Sequence, residues 1–365
     1  MMVGERPLDR IGLLRSDALS DTILSLAVAT AAKHYNRAIQ VELICDSAFT
    51  HLLTAHPDID DVLADPGGSS SNLARLLKSR GYDALLVLRP NLRNAWAAFR
   101  ARVPLRVGTA FRAYGMLFNV RWYGHRKRNE RHEIEYNLEL LERLTGMSPG
   151  TPQNYLPPPP EDEAHARALL EEGEISSDQP LVAIHPAGRT RSGDRHSSLP
   201  WPIHHFVTLA ELLRGEEYQV IVTGMAGDAG LTSQIAAVPG VVDLTGRTTL
   251  GQLAWVLKEC DTIIANSTGT LHLAAAVGTK VVGIYPPAGS NSPTRWGPYG
   301  PGHKVFVGPA EDCGQHECTW EECPAYNCLE KVSPEKVFEV AEGIIAQSPL
   351  RTRWEGSTST PRPGS

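Results

Sequence analysis

The stretch Thr262-Ile263-Ile264-Ala265-Asn266-Ser267-Thr268-Gly269-Thr270-Leu271-His272-Leu273-Ala274-Ala275-Ala276-Val277 decides the fold. An apolar, β-branched run ends at Asn266 in a turn of small and hydroxyl-bearing residues, and an alanine-rich run with the helix placed at 273–277 follows. A short apolar strand feeding a helix through such a turn is the repeating unit of a parallel sheet. Working outward, the same alternation predicts strands at 181–185, 219–223, 241–245 and 281–285, with helices at 204–213 and 250–259 between them and a last helix at 334–346. It recurs in the first half, with strands at 11–15, 41–46, 62–65, 83–89 and 105–109. There Ile134, Leu138, Leu141 and Leu144 mark a closing helix at 132–146. Four consecutive prolines, Pro157 to Pro160, make a semi-rigid connector. The expectation is α/β, two Rossmann-like domains facing an interdomain cleft. They occupy 1–155 and 180–348, with a Pro-rich connector and leading helix at 156–179 and a disordered tail at 349–365. In open parallel sheets ligands gather outside the carboxyl ends of the strands, so function is sought in the strand-to-helix turns.

The 365 residues carry 42% hydrophobic and 21% charged side chains, the balance of a packed globular chain. A net charge of −6 gives the whole molecule no electrostatic reason to bind nucleic acid. No apolar run approaches a membrane span and the charged first ten residues do not read as a signal peptide, which points to a cytoplasmic protein. Cys45 and Cys260 stand alone in apolar surroundings. Cys313, Cys318, Cys323 and Cys328 cluster with His316 at a spacing unlike the paired two-residue spacing of zinc ribbons, so a structural zinc is an open alternative to free thiols.

Four turns carry candidate chemistry. In the first, Arg15-Ser16-Asp17-Ala18-Leu19-Ser20-Asp21, the helix is expected to start near Thr22; Asp21 then either caps it or accepts a proton from an attacking hydroxyl. In the second, Ser267, Thr268, Gly269 and Thr270 offer amides and hydroxyls at a helix N-terminus, which suits either a diphosphate or an ordinary cap, and His272 follows. The third, His185-Pro186-Ala187-Gly188, allows close ligand approach at Gly188 and leads to Arg189, Arg191 and Arg195, an arginine being suited to forked phosphate contacts. The fourth runs from Gly224 to Asp228, where Asp228 either accepts from ribose hydroxyls or caps a helix.

Together these motifs resemble glycosyltransferase family 9, the lipopolysaccharide heptosyltransferase family, with its two-domain GT-B architecture. The resemblance spans 11–346. It rests on the turn ending in Asp21, Arg106-Val107-Gly108, His132-Glu133-Ile134-Glu135-Tyr136-Asn137-Leu138, His185-Pro186, Thr245-Gly246 and Ser267 to His272 running into Ala274-Ala275-Ala276. It implies inverting transfer of a sugar from a nucleotide diphosphate donor, ADP-heptose in the family, to a glycolipid acceptor at the inner membrane surface, with no required cofactor or metal. By the resemblance Asp21 is the general base, the N-terminal domain takes the acceptor, and the C-terminal domain binds the donor near Gly269 and Thr270. Three departures stand out: Ser267 occupies a position where heptosyltransferases typically carry Asp, Ser20 replaces the usual Gly, and Arg195 is the best substitute for a basic residue before Trp201-Pro202. The basic run Arg126, Lys127 and Arg128, within 121–132, is assigned to acceptor phosphates or to a membrane surface. A nucleotide-sugar epimerase and a non-catalytic nucleotide-sugar-binding protein are the alternatives. A nicotinamide oxidoreductase is disfavoured because neither half has a Gly-x-Gly-x-x-Gly turn after its first strand.

Overall fold

The computed structural model describes residues 2–3, 6–188, 200–287, 292–309 and 328–347. A small antiparallel ribbon, β1 (Met2–Val3) with β2 (Arg6–Pro7), precedes two parallel sheets. The first sheet comprises β3 (Arg10–Leu14), β4 (Gln40–Cys45), β5 (Asp61–Ala64), β6 (Ala84–Val87), β7 (Leu105–Thr109) and β8 (Val120–Trp122). The second comprises β9 (Leu181–His185), β10 (Gln219–Val222), β11 (Val241–Asp243), β12 (Thr262–Asn266), β13 (Lys280–Tyr285) and β14 (Lys304–Val307). Their spatial orders, β5-β4-β3-β6-β7-β8 and β11-β10-β9-β12-β13-β14, are the same doubly wound arrangement. The order in which strands are added reverses between β3 and β6 in one sheet and between β9 and β12 in the other, with Leu14 opposite Val87 and Ala265 opposite His185. Loops leaving these strands diverge there and open a crevice.

The central strands are apolar on both faces because helices cover both. The alanine-rich helix Leu26–Tyr35 packs against the helix Glu133–Thr145. His132 caps the latter, its Nδ1 accepting from the Ile134 amide at 3.2 Å, and Gly146 ends it with φ 71°. Thr249 and Gln252 form a reciprocal cap on the helix Leu250–Glu259. The C-terminal helix Pro334–Ile345 packs on the helix Ile203–Gly215, and the buried Trp201 indole donates to the Val332 carbonyl at 2.9 Å.

The expected α/β architecture is present, with differences that have physical causes. Each sheet has a sixth strand that the sequence did not announce, β8 and β14. Both are short edge strands with exposed positions: β8 is interrupted by Arg121 and β14 has only the three apolar residues Val305 to Val307, too brief to stand out. The first-turn helix begins at Leu19, not near Thr22, and the helix expected at 273–277 begins at Gly269. The expected tail and Cys313, Cys318 and Cys323 lie outside the described residues. Cys45, Cys260 and Cys328 are buried. Among the described residues no helix is long and apolar enough to cross a membrane.

The two lobes touch. One apolar cluster runs through both, the Leu156 amide donates to the Ala276 carbonyl at 2.9 Å, and the helix Leu19–Ile23 lies against the helix Gly269–Val277. Gly269 is required at that contact, since a Cβ there would stand 2.9 Å from Leu19 Cβ.

Candidate active site

The N-terminal wall of the crevice is organised by Arg15, which leaves β3 at its carboxyl end and is only 3% exposed. Its guanidinium donates to Asp17 Oδ1 at 2.8 Å, to the Leu88 carbonyl at 2.9 Å, to Glu133 Oε1 at 3.1 Å and to Asp21 Oδ1. Asp21 therefore lies inside the first helical turn, with Ala18 in the cap position. Its carboxylate is held by Arg15 and by the Ser20 hydroxyl at 3.2 Å, not by helix amides, so the capping alternative is corrected. Burial and the neighbouring Asp21 charge raise Asp17 above the usual carboxylate range against the pull of Arg15. Beside this cluster a cleft of about 580 Å³ opens at the ends of β3, β4, β5 and β6, lined among others by Ser16, Asp46, Asp65, Arg89 and Arg93. Arg93 pairs with Asp65 at 2.6 Å, whereas the half-exposed Arg89 reaches over the Ser16 carbonyl at 2.7 Å.

Glu133 ties the lobes together; the sequence places it within the motif His132 to Leu138 but gives it no role. It is fully buried and accepts from Arg15, from Arg126, and from Arg295 of the opposite lobe at 2.9 and 3.0 Å. Burial alone would raise its carboxyl, but Arg126, Arg15 and Arg295 outweigh it and hold the group down at about 2. A second bridge runs from His132 Nε2 to the Gly297 carbonyl at 2.9 Å, with Tyr299 packed against the ring. Because His132 Nδ1 accepts the Ile134 amide, Nε2 carries the proton, and burial lowers the ring's basicity accordingly.

Across the crevice, the helix Gly269–Val277 starts with no side-chain cap hydrogen bond, leaving its first amides without a hydroxyl or carboxylate partner from the cap residue Thr268. Thr268 is 8% exposed, and its buried hydroxyl has no hydrogen-bond partner among the described residues. Thr270 and His272 are also buried within the first turns. Ser267 bonds to the Tyr285 phenol, which donates onward to the Trp296 carbonyl at 2.7 Å. The turn is fixed from below by Asn266, which accepts the Trp201 amide at 2.9 Å and donates to the Pro186 carbonyl at 2.8 Å.

The remaining candidates divide. Gly188 follows β9 in the same crevice, with Pro200 3.3 Å from where its Cβ would be. Gly224 and Gly246 join neighbouring turns through a 2.9 Å backbone bond, and Asp228 accepts the Met225 amide at 2.8 Å within the turn Ala226–Asp228, with no side-chain bond to the amides of the helix Ala229–Ala236 that the capping alternative called for. His185 is buried, bonded to Thr223 at 3.0 Å, and pushed by burial down to about 4. Arg195, like Arg189 and Arg191, lies outside the described residues. The assignment of Arg126 to a surface patch is corrected, because its guanidinium turns inward to Glu133 and to Asn137 Oδ1 at 3.1 Å, drawn by the buried carboxylate. Arg128 is exposed, and the Lys127 side chain lies outside the described residues.

Two Rossmann-like lobes with matched switch points, a carboxylate on one wall and an uncapped helix N-terminus on the other, define the GT-B class of glycosyltransferases. The model of glycosyltransferase family 9 (heptosyltransferase) matches residues 71–325, and the chain belongs to that family. It is 24% identical over 343 residues to lipopolysaccharide heptosyltransferase 2 of Escherichia coli strain K12, covering 87% of this chain and 93% of that one. Its fold is similar to the family 9 glycosyltransferase of Veillonella parvula, with a TM-score of 0.79, 19% identity and coverage of 93% and 98%. It is likewise similar to the E. coli ADP-heptose lipopolysaccharide heptosyltransferase II, with a TM-score of 0.71, 20% identity and coverage of 93% and 99%. The chain is a glycosyltransferase, and the family assignment favours transfer over epimerisation.

Proposed function

We propose that this enzyme transfers a heptose or a related sugar, with inversion, from an ADP-linked donor to a glycolipid of the lipopolysaccharide core type. In this reading 1–155 is the acceptor lobe, 156–179 the connector and 180–348 the donor lobe. Asp21 takes the proton of the acceptor hydroxyl as its oxygen attacks the anomeric carbon from the face opposite the nucleotide. The bond to the diphosphate breaks, and the departing charge is met by the amides of the Gly269 turn and by the Thr268 hydroxyl. Glu133 and Arg295 are positioning residues that hold the lobes in register and keep Arg15 against Asp21. Gly188, Gly224, Thr270 and His272 line the donor side. Of the acceptor-side cations, Arg89 at the cleft fits an acceptor phosphate better than Arg126.

The observation that carries the reading is the contact of the Asp21 helix with the uncapped Gly269 helix, Leu19 against Gly269. The Asp-to-Ser difference at Ser267 supports donor selection being set partly by Tyr285, which engages the serine hydroxyl. The test is mass-spectrometric screening of ADP-heptose and other nucleotide sugars with lipid A core acceptors. The expected result is acceptor-dependent release of nucleoside diphosphate with a mass-shifted glycolipid; an isomerised donor formed without acceptor would contradict it.

A further inference from the structure

Between residues 84 and 129 the chain has nine arginines and one lysine and not a single aspartate or glutamate, a net of +10 in a molecule whose sum is −6. The centre of this stretch folds as the helix Leu92–Arg100 and the adjoining turn Ala113–Leu117, which pack together. Asn91 caps the helix, its side chain accepting from the Asn94 amide at 2.8 Å, so the element is well started. Its inner face, Ala95, Ala97 and Ala98, is buried. Its outer face carries Leu92, Trp96 and Phe99 at four- and three-residue spacing, one stripe of the helix, exposed by 62%, 41% and 46%. Met116 of the adjoining turn is 79% exposed. Isolated apolar residues on a surface need no explanation, but an aligned stripe of a leucine and two aromatic rings does.

The charges around the stripe identify its occupant. Arg100 follows Trp96 by one helical turn, and Arg100, Arg102 and Arg112 are all exposed. Aromatic rings bordered by arginines are the composition of a face that sits at the headgroup level of a bilayer, the rings entering the interface while the guanidiniums stay with lipid phosphates. The stripe is also continuous with the candidate acceptor cleft: a groove of about 550 Å³ beside Leu92 and Trp96 shares Gly68 and Arg93 with it.

We propose that the outer face of the helix Leu92–Arg100, with Met116, docks the enzyme on an anionic bilayer and sets the acceptor cleft at the membrane surface. This rests on the glycolipid reading of the acceptor, and it moves the membrane contact away from the Arg126 loop. A lipid-anchored acceptor then presents its sugar to the cleft without leaving the bilayer.

The test is flotation of the full chain with vesicles of phosphatidylethanolamine and phosphatidylglycerol, compared with phosphatidylcholine vesicles, with neither donor nor acceptor present. Two variants are compared with the unaltered chain: Leu92→Ser/Trp96→Ser/Phe99→Ser, and Arg100→Glu/Arg102→Glu/Arg112→Glu. Binding to the anionic vesicles alone is expected, falling at least tenfold in the first variant. A loss of about 100-fold or more is expected in the second, from roughly fivefold per basic residue at an anionic surface, together with weakening at high salt. Both variants should keep wild-type turnover on a water-soluble, deacylated acceptor. Absence of binding to anionic vesicles, equal binding to neutral ones, or binding unchanged in both variants overturns the proposal. So does burial of the stripe between two copies of the chain, seen as a dimer by sedimentation that the first variant dissociates. Vesicle binding without sugar transfer to any acceptor would instead count against the proposed reaction, so the two failures are distinguishable.

Discussion

Replacing Glu133 by Gln removes one negative charge from a site where three guanidiniums converge and no water reaches the carboxylate. The carboxyl is held at about 2, against about 4.5 for a free glutamate. At about 1.4 kcal/mol per unit, the folded environment favours the charged form by about 3 kcal/mol. Leaving Arg15, Arg126 and Arg295 unneutralised in a buried site has a cost of the same order, about 3–5 kcal/mol. For lobes of this size each kcal/mol shifts Tm by about 2–4 °C, so Glu133→Gln should lower it by about 6–20 °C. The assay is thermal unfolding at pH 7, with the exposed neighbour Glu135→Gln as a control expected to change little. Arg295→Ala removes only the cross-lobe leg and should raise the KM for donor more than it lowers Tm. The double variant should show coupling, losing less than the sum of the two singles. Because the folded carboxyl is depressed, its stabilisation is complete above about pH 4.5 and disappears as pH falls towards 2. A Glu133→Gln protein with unchanged Tm and unchanged kinetics would refute the view that this carboxylate clamps the lobes.

Two more outcomes follow from packing and burial. Gly269→Ala brings a Cβ to within 2.9 Å of Leu19 Cβ, an overpacking worth about 1–3 kcal/mol; transfer should fall while the fold survives, and adding Leu19→Gly, which removes that Cβ, should restore it, as steady-state kinetics on both variants would show. His56 and His185 are buried and pushed from the usual range down to about 4, so stability is intact above about pH 6.5 and declines on acidification towards 4, by up to about 2.7 kcal/mol per pH unit for the pair, with the raised Asp17 opposing part of it. Urea midpoints at pH 7 and pH 5 measure this, and His56→Gln/His185→Gln should flatten the difference.

The sequence made the strands and their carboxyl-terminal turns legible because both are local: a buried strand writes itself as an apolar run, and the turn after it as a cluster of small residues. Asp21, Gly188 and the run from Ser267 to Thr270 stand out as candidates on that ground. The Glu133 cluster was hidden because its partners, Arg15 and Arg295, lie 118 and 162 residues away in the chain. Read locally, Glu133 is an acid in a first helical turn and Arg126 one of several adjacent basic residues. Only the fold shows that the one neutralises the other. The edge strands β8 and β14 escaped for a different reason: each is only three or four residues long and turns little more than one large side chain inward, Trp122 and Phe306, too little to impose a pattern. The helix Leu92–Arg100 was passed over because an exposed apolar stripe and a core-facing one look alike until the sheet is placed.

The most direct test of the central claim is to measure transfer and nucleotide-sugar affinity on one preparation of Asp21→Asn, which keeps the side chain's shape and removes its capacity to take a proton. A fall in kcat of about 10²- to 10⁴-fold with donor Kd within about twofold of the unaltered enzyme is expected. Turnover within tenfold of the original, or loss of donor binding in parallel with loss of transfer, would contradict a role for Asp21 as the base.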